Sequence, residues 1–128
     1  MKLAQQLPQS SIIQAVAEEV RKKYPDPKGL CEFISQALVE GLRKRGIYAQ
    51  HAVGNFHLDE PGAFEFIGPK RKSHDDCIIE HGWVEVEGKI VDASASQFRK
   101  YVHVDIPEIA IIDYRNPLFE KYETLKYV

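Results

Sequence analysis

Cys77-Ile78-Ile79-Glu80-His81-Gly82-Trp83-Val84-Glu85-Val86-Glu87-Gly88-Lys89-Ile90-Val91-Asp92-Ala93 sets apolar residues in alternation on either side of one Glu-Gly pair. Two arms rich in β-branched and aromatic residues flank Glu87-Gly88, which predicts a hairpin with a tight turn. If that turn has two residues, Val86 faces Lys89, Glu85 faces Ile90, Val84 faces Val91 and Trp83 faces Asp92. One face then carries Val84, Val86, Val91 and Ala93, a coherent core face. The other carries His81, Trp83, Ile90 and Asp92. His81 and Asp92 become diagonal cross-strand neighbours, about 7–8 Å apart at the backbone and within side-chain reach. A one-residue slip would send them to opposite faces and set Asp92 among valines. The clean apolar face favours the first register, although Glu-Gly is not the preferred Asn-Gly pair for such a turn.

Upstream, two helices are expected. Ser11-Ile12-Ile13-Gln14 has the spacing of a capping box. Ile12, Ile13, Val16, Ala17 and Val20 then follow the helical period, up to Arg21-Lys22-Lys23 and the stop at Pro25-Asp26-Pro27. The second helix is predicted over 29–45, with Leu30, Ile34, Ala37, Leu38, Gly41 and Leu42 on one stripe and Gly46 as its stop. Cys31 falls in its first turn or two. Ile47 to Val53 reads as a strand ending at Gly54-Asn55, and 57–76 as a long polar stretch carrying the island Ala63–Ile67 and the basic cluster Lys70-Arg71-Lys72. Beyond the hairpin, 94–99 reads as a turn or short helix, and 101–104 and 109–112 as strands. The tail after Asn116-Pro117 reads as a short helix or irregular. The order predicts an α+β fold, two N-terminal helices packed on an antiparallel sheet.

Composition sets the outer bounds. At 128 residues the chain is one domain, 1–128. With 44% hydrophobic and 28% charged residues it is an ordinary globular protein, which excludes disorder, collagen and coiled coil. A net charge of −2 gives no reason to expect a nucleic-acid partner. No apolar run reaches the roughly 18 residues of a membrane span, and the first residues lack a signal-peptide apolar core, so no membrane association and a cytoplasmic location are expected. Two cysteines, Cys31 and Cys77, are too few for a disulfide scaffold. Each thiol is therefore either packing or chemistry.

A thiol is a nucleophile only as thiolate, which a helix N-terminus and a nearby imidazolium both favour. A histidine can take the thiol proton and return it to a leaving group, and a carboxylate on its other ring nitrogen fixes the tautomer. Cys31, His81 and Asp92 supply this set. An isolated helix cysteine is more often a packed small hydrophobe. What favours chemistry is the joint placement, with Asp92 set between Ile90-Val91 and Ala93, where a carboxylate without a partner would be costly.

The run Gly29-Leu30-Cys31-Glu32-Phe33-Ile34-Ser35-Gln36-Ala37-Leu38 resembles the nucleophile helix of transglutaminase-like and papain-like cysteine enzymes. His81-Gly82-Trp83-Val84-Glu85-Val86 is similar to the H-x-W-V-E-V strand of bacterial transglutaminase-like domains. Val91-Asp92-Ala93-Ser94 with Gln97-Phe98 resembles the segment that closes their triad. The resemblance implies a minimal papain-like core, with Cys31 as nucleophile, His81 as base and acid, and Asp92 as orienting group. It implies thiol-dependent acyl transfer or hydrolysis on a peptide or protein amide: protease, amidase, deamidase or transglutaminase chemistry through a thioester. Glu32 stands where many of these families carry Trp. A catalytically silent binding module of the same fold, or a toxin-like deamidase, are the alternatives.

No cofactor is expected. His51, His57, His74, His81 and Cys77 fit no compact metal-ligand spacing, so no metal is expected either. No Gly-rich phosphate loop is present. Trp83 is expected to shield the ring or to pack, Gln97 to lie near Asp92 or in a surface turn, and Cys77 to be structural. The Cys31 backbone N–H is the expected oxyanion donor, with Gln5, Gln6 or Gln14 as side-chain candidates. Substrate specificity is expected to reside in 57–76 and the tail.

Overall fold

The computed structural model describes residues 8–60 and 77–128. The island Ala63–Ile67, the basic cluster at 70–72, His74, Gln5 and Gln6 lie outside the described residues. The fold is α+β. Helices α1 (Gln9–Lys23) and α2 (Cys31–Lys44) precede a five-stranded antiparallel sheet of β1 (Gln50–His57), β2 (Ile78–Val86), β3 (Lys89–Asp92), β4 (Ala110–Ile112) and β5 (Tyr122–Tyr127), in the order β4-β3-β2-β1-β5. Two short 3₁₀ helices, Ala95–Tyr101 and Pro117–Lys121, link the later strands.

The hairpin has the expected register: Val84 pairs with Val91, Glu85 with Ile90 and Val86 with Lys89. Glu87 (φ 50°) and Gly88 (φ 81°) are both left-handed, the signature of a type I′ turn, whose twist matches that of the strands. The valine face packs under the helices, where Val84, Val86, Val91 and Ala93 join Ile13, Val16, Ile34 and Leu38 in one core. A second core covers the opposite face, built from Phe56, Ile79, Trp83, Ile90, Phe98 and Leu118. The sheet thus carries a core on each side, and His81 and Asp92 on the second face sit in an apolar interior.

Several expectations are corrected. Helix α1 begins at Gln9 behind Pro8, which makes no side-chain cap. Pro8 supplies a fixed φ, and its carbonyl accepts from Ser11 N–H, so Ser11 is inside the helix and the Ser11–Gln14 capping box does not form. Helix α2 ends as expected: Gly46 (φ 79°) closes a Schellman motif, with Ile47 N–H donating to the Leu42 carbonyl and Gly46 N–H to that of Arg43. Strand β1 starts later, at Gln50, and runs through Gly54-Asn55 to His57. Gly54 is not a terminator. A Cβ there would lie 1.9 Å from the Glu123 carbonyl oxygen, so the glycine permits close approach of β5 at the bulge between Val53 and Gly54. No strand forms over 101–104, because Tyr101 closes a 3₁₀ turn. The tail forms the expected short helix at Pro117–Lys121 and then, unexpectedly, contributes β5, whose residues are mostly exposed and so lack an alternating apolar pattern.

Candidate active site

Cys31 is the first residue of α2 and is buried. The loop before it turns at Gly29 (φ 74°), whose N–H donates 3.1 Å to Oε1 of Gln97. The Gln97 amide in turn donates 3.0 Å to the Ser94 carbonyl. Gln97 therefore bridges the entry to the thiol helix and the segment that follows β3.

On the second face of the hairpin, Nε2 of His81 lies 2.7 Å from Oδ2 of Asp92, with both side chains excluded from solvent. The register accounts for this, since His81 and Asp92 are diagonal neighbours on one face. Asp92 is satisfied from every side. Its Oδ1 accepts the N–H of Ser94 at 2.8 Å and the Ser94 hydroxyl at 2.9 Å, while the Tyr122 hydroxyl donates to Oδ2 at 2.8 Å. A buried carboxylate with four donors favours the charged form. Burial alone would raise its pKa, but the charge and hydrogen bond of His81, together with Ser94 and Tyr122, hold it below the ordinary 3.8.

His81 is tuned in the complementary sense. Burial pushes it down, yet the Asp92 charge and hydrogen bond outweigh that, and the Cys31 sulfur adds to them both as hydrogen-bond partner and as negative charge. The ring's pKa is raised to about 10. The Phe98 ring meets the imidazole edge-on at 4.9 Å between centroids, and Phe56 does so at 5.6 Å. Trp83 lies 5.8 Å away, fully buried, and its Nε1 donates to Glu85 at 3.3 Å. Apolar walls of this kind keep water from the pair and strengthen it. Among the described residues β3 pairs with no part of β2 before Val84, and it is at this stretch of β2 that Cys31 acts on the ring.

A cleft of about 280 Å³ opens beside the start of α2. Cys31, His51, Val53, His81 and Gly82 line it, with Glu32, Glu80 and Lys126 also on its wall. Helix α2, β1, β2 and β5 thus all contribute.

Of the three residues singled out from the sequence, Cys31 and His81 line this cleft, while Asp92 does not and reaches it only through its contact with His81. Gln97 acts as a bridge rather than as a partner of Asp92 itself. Gln14 does not belong to the site: on α1 its amide donates 3.1 Å to Glu18. Cys77 precedes β2 and packs at the edge of the second core. His57 pairs with Glu123 at 3.0 Å on the exposed part of β1. Among the described residues no group of three or more His, Cys, Asp or Glu is placed to hold a metal ion, and no helix is long and apolar enough to cross a membrane. Tyr122 escaped the sequence reading, lying in a strand without apolar alternation, and His51, weighed there only for metal binding, is one buried polar residue in a strand with no motif around it. No protein-family model, curated protein or solved structure matches the chain.

Proposed function

We propose that the chain is a thiol-dependent acyl-transfer enzyme of the papain-like, transglutaminase-like kind, acting on a peptide or protein amide. The observation that carries this reading is the buried 2.7 Å contact between His81 and Asp92, with Cys31, at the first position of a helix, acting on the same ring. An imidazolium held by Asp92 stabilises the thiolate of Cys31, and the helix N-terminus adds to that. The thiolate attacks the amide carbonyl carbon. The C–S bond forms as the carbonyl π pair moves to oxygen, and collapse expels the amine with a proton from His81. Water or a second amine then attacks the thioester, giving its proton to His81 and releasing Cys31. Asp92 holds the ring in one orientation throughout.

The reading is tested by iodoacetamide labelling with peptide mapping near neutral pH. Cys31 is expected to react at least about tenfold faster than Cys77, as a thiolate does beside a thiol, and His81→Ala is expected to remove that advantage. Equal labelling of the two cysteines in the folded protein would overturn the proposal and favour a silent domain of the same fold.

A further inference from the structure

A tetrahedral intermediate at Cys31 places negative charge on the former carbonyl oxygen. That charge needs a donor other than His81, whose proton is committed to the leaving group. The N–H of Cys31 at the helix start is one donor, and acyl-transfer sites commonly supply a second from a side chain. Gln14 is removed from the cleft by its place on α1.

His51 meets the requirements of position and chemistry. It lies on β1, is 6% exposed, and lines the same cleft as Cys31, His81 and Gly82. Its pairing with Val84 puts it on the helix-side face, the face from which α2 approaches, whereas His81 belongs to the opposite face. The two imidazoles are therefore not alternatives for one role. Only His81 reaches Asp92, while His51 stands on the wall that faces the thiol helix. Its Nε2 is seated over the backbone of the residue after His81: a Cβ on Gly82 would lie 3.0 Å from that nitrogen. Glycine at 82 thus leaves room for this ring against the backbone of β2. The backbone of His51 is held at the sheet edge of the cleft, its carbonyl accepting the N–H of Val128 at 2.9 Å. A buried donor on a rigid strand suits an oxyanion hole, because little reorganisation accompanies the reaction.

We infer that His51 is the side-chain oxyanion donor of this site, its ring N–H directed at the oxygen that becomes negative when Cys31 attacks. The inference rests on the acyl-transfer reading above. It concerns the transition state alone, so a reaction at the same sulfur that forms no oxyanion separates the two. Alkylation by iodoacetamide is such a reaction, in which the thiolate displaces iodide from carbon. Acylation by p-nitrophenyl acetate is the counterpart: sulfur adds to the ester carbonyl, an oxyanion forms, and p-nitrophenolate departs without needing a proton.

Both rates are to be measured on the full chain for the wild type, His51→Leu and His51→Gln. His51→Leu should acylate about 100-fold more slowly, the usual loss for one oxyanion donor, while alkylation of Cys31 stays within about twofold of wild type, since the thiolate is untouched. His51→Gln, which keeps an N–H donor, should regain much of the acylation rate. Unchanged acylation in His51→Leu would overturn the inference while leaving the acyl-transfer reading standing. So would a parallel fall in both rates, because that marks a purely structural role. A wild-type protein in which Cys31 neither alkylates faster than Cys77 nor acylates would overturn both.

Discussion

The Tyr122 hydroxyl donates a 2.8 Å hydrogen bond to Oδ2 of Asp92, the same oxygen that lies 2.7 Å from Nε2 of His81. The strand added last to the sheet therefore steadies the carboxylate that orients the imidazole. Burial raises the pKa of the tyrosine well above its ordinary 10.0, and the charge of Asp92 acts in the same direction, so the phenol remains a donor. Removing that donor with Tyr122→Phe keeps the ring packing and should cost about 1.5–3 kcal/mol, the range for a hydrogen bond to a charged group. Asp92 would then protonate at higher pH. The acid limb of the Cys31 alkylation profile should shift upward, measured as rate against pH beside a urea melt. An unmoved limb with unchanged stability would show that the hydroxyl contributes nothing.

The His81–Asp92 pair makes stability depend on pH in a defined sense. His81 is raised from 6.5 to about 10, so its contribution is complete below about 6.5 and fades as pH climbs through about 10. Asp92 is held below 3.8, so its contribution is present above that value and is lost as pH falls through the lower folded value. The urea midpoint should therefore be lower at about pH 9 than at about pH 6. Asp92→Asn should flatten that difference and slow Cys31 alkylation at neutral pH. A slope that survives Asp92→Asn would trace it to other groups.

Gln97 ties Gly29 N–H to the Ser94 carbonyl, and Ser94 in turn caps Asp92. Gln97→Ala should cost about 1–2 kcal/mol for two hydrogen bonds. Because it loosens the start of α2 relative to His81, it should also slow Cys31 alkylation by about tenfold, small misplacements of reacting groups being costly. Loss of stability with full reactivity would make the bridge purely structural.

Gly54→Ala drives a methyl into the Glu123 backbone, 1.9 Å from its carbonyl oxygen. Two paired strands cannot both stay in place, and the expected loss is above about 2 kcal/mol. Tyr122 shares β5, so hydrogen exchange should rise along 122–127 and the Asp92 contact should weaken with it. Retained protection across β5 would refute this account of the glycine.

Glu87 is the only non-glycine with positive φ among the described residues. Asparagine adopts that conformation more readily and is favoured at this position of a type I′ turn. Glu87→Asn should stabilise the chain by about 0.5–1 kcal/mol, read as a raised urea midpoint with no change in Cys31 reactivity.

The hairpin was legible because one alternating pattern determined everything about it. Val84, Val86, Val91 and Ala93 can share a buried face in only one register, and that register necessarily leaves His81 and Asp92 together on the other. Helix α2 was legible for the same reason, with an apolar stripe and a glycine stop, although its start at Cys31 was placed only to within a turn. Strand β5 was not. Its residues are largely exposed, and it is held by backbone pairing with β1 that no side-chain period announces. The capping box failed on a nearer competitor, Pro8, which begins the helix first.

From its sequence alone this protein is determined to be an α+β chain with a hairpin that sets an imidazole beside a carboxylate, because neighbours in a short hairpin are joined by local alternation. It takes the packing of distant segments to bring Cys31 to that imidazole, to set the Tyr122 hydroxyl on the carboxylate from 30 residues along the chain, and to put His51 on the wall of the cleft. Those relations join segments packed on different faces and edges of the sheet. Their meeting depends on how helix and strands stack, and no periodicity within any one segment encodes it.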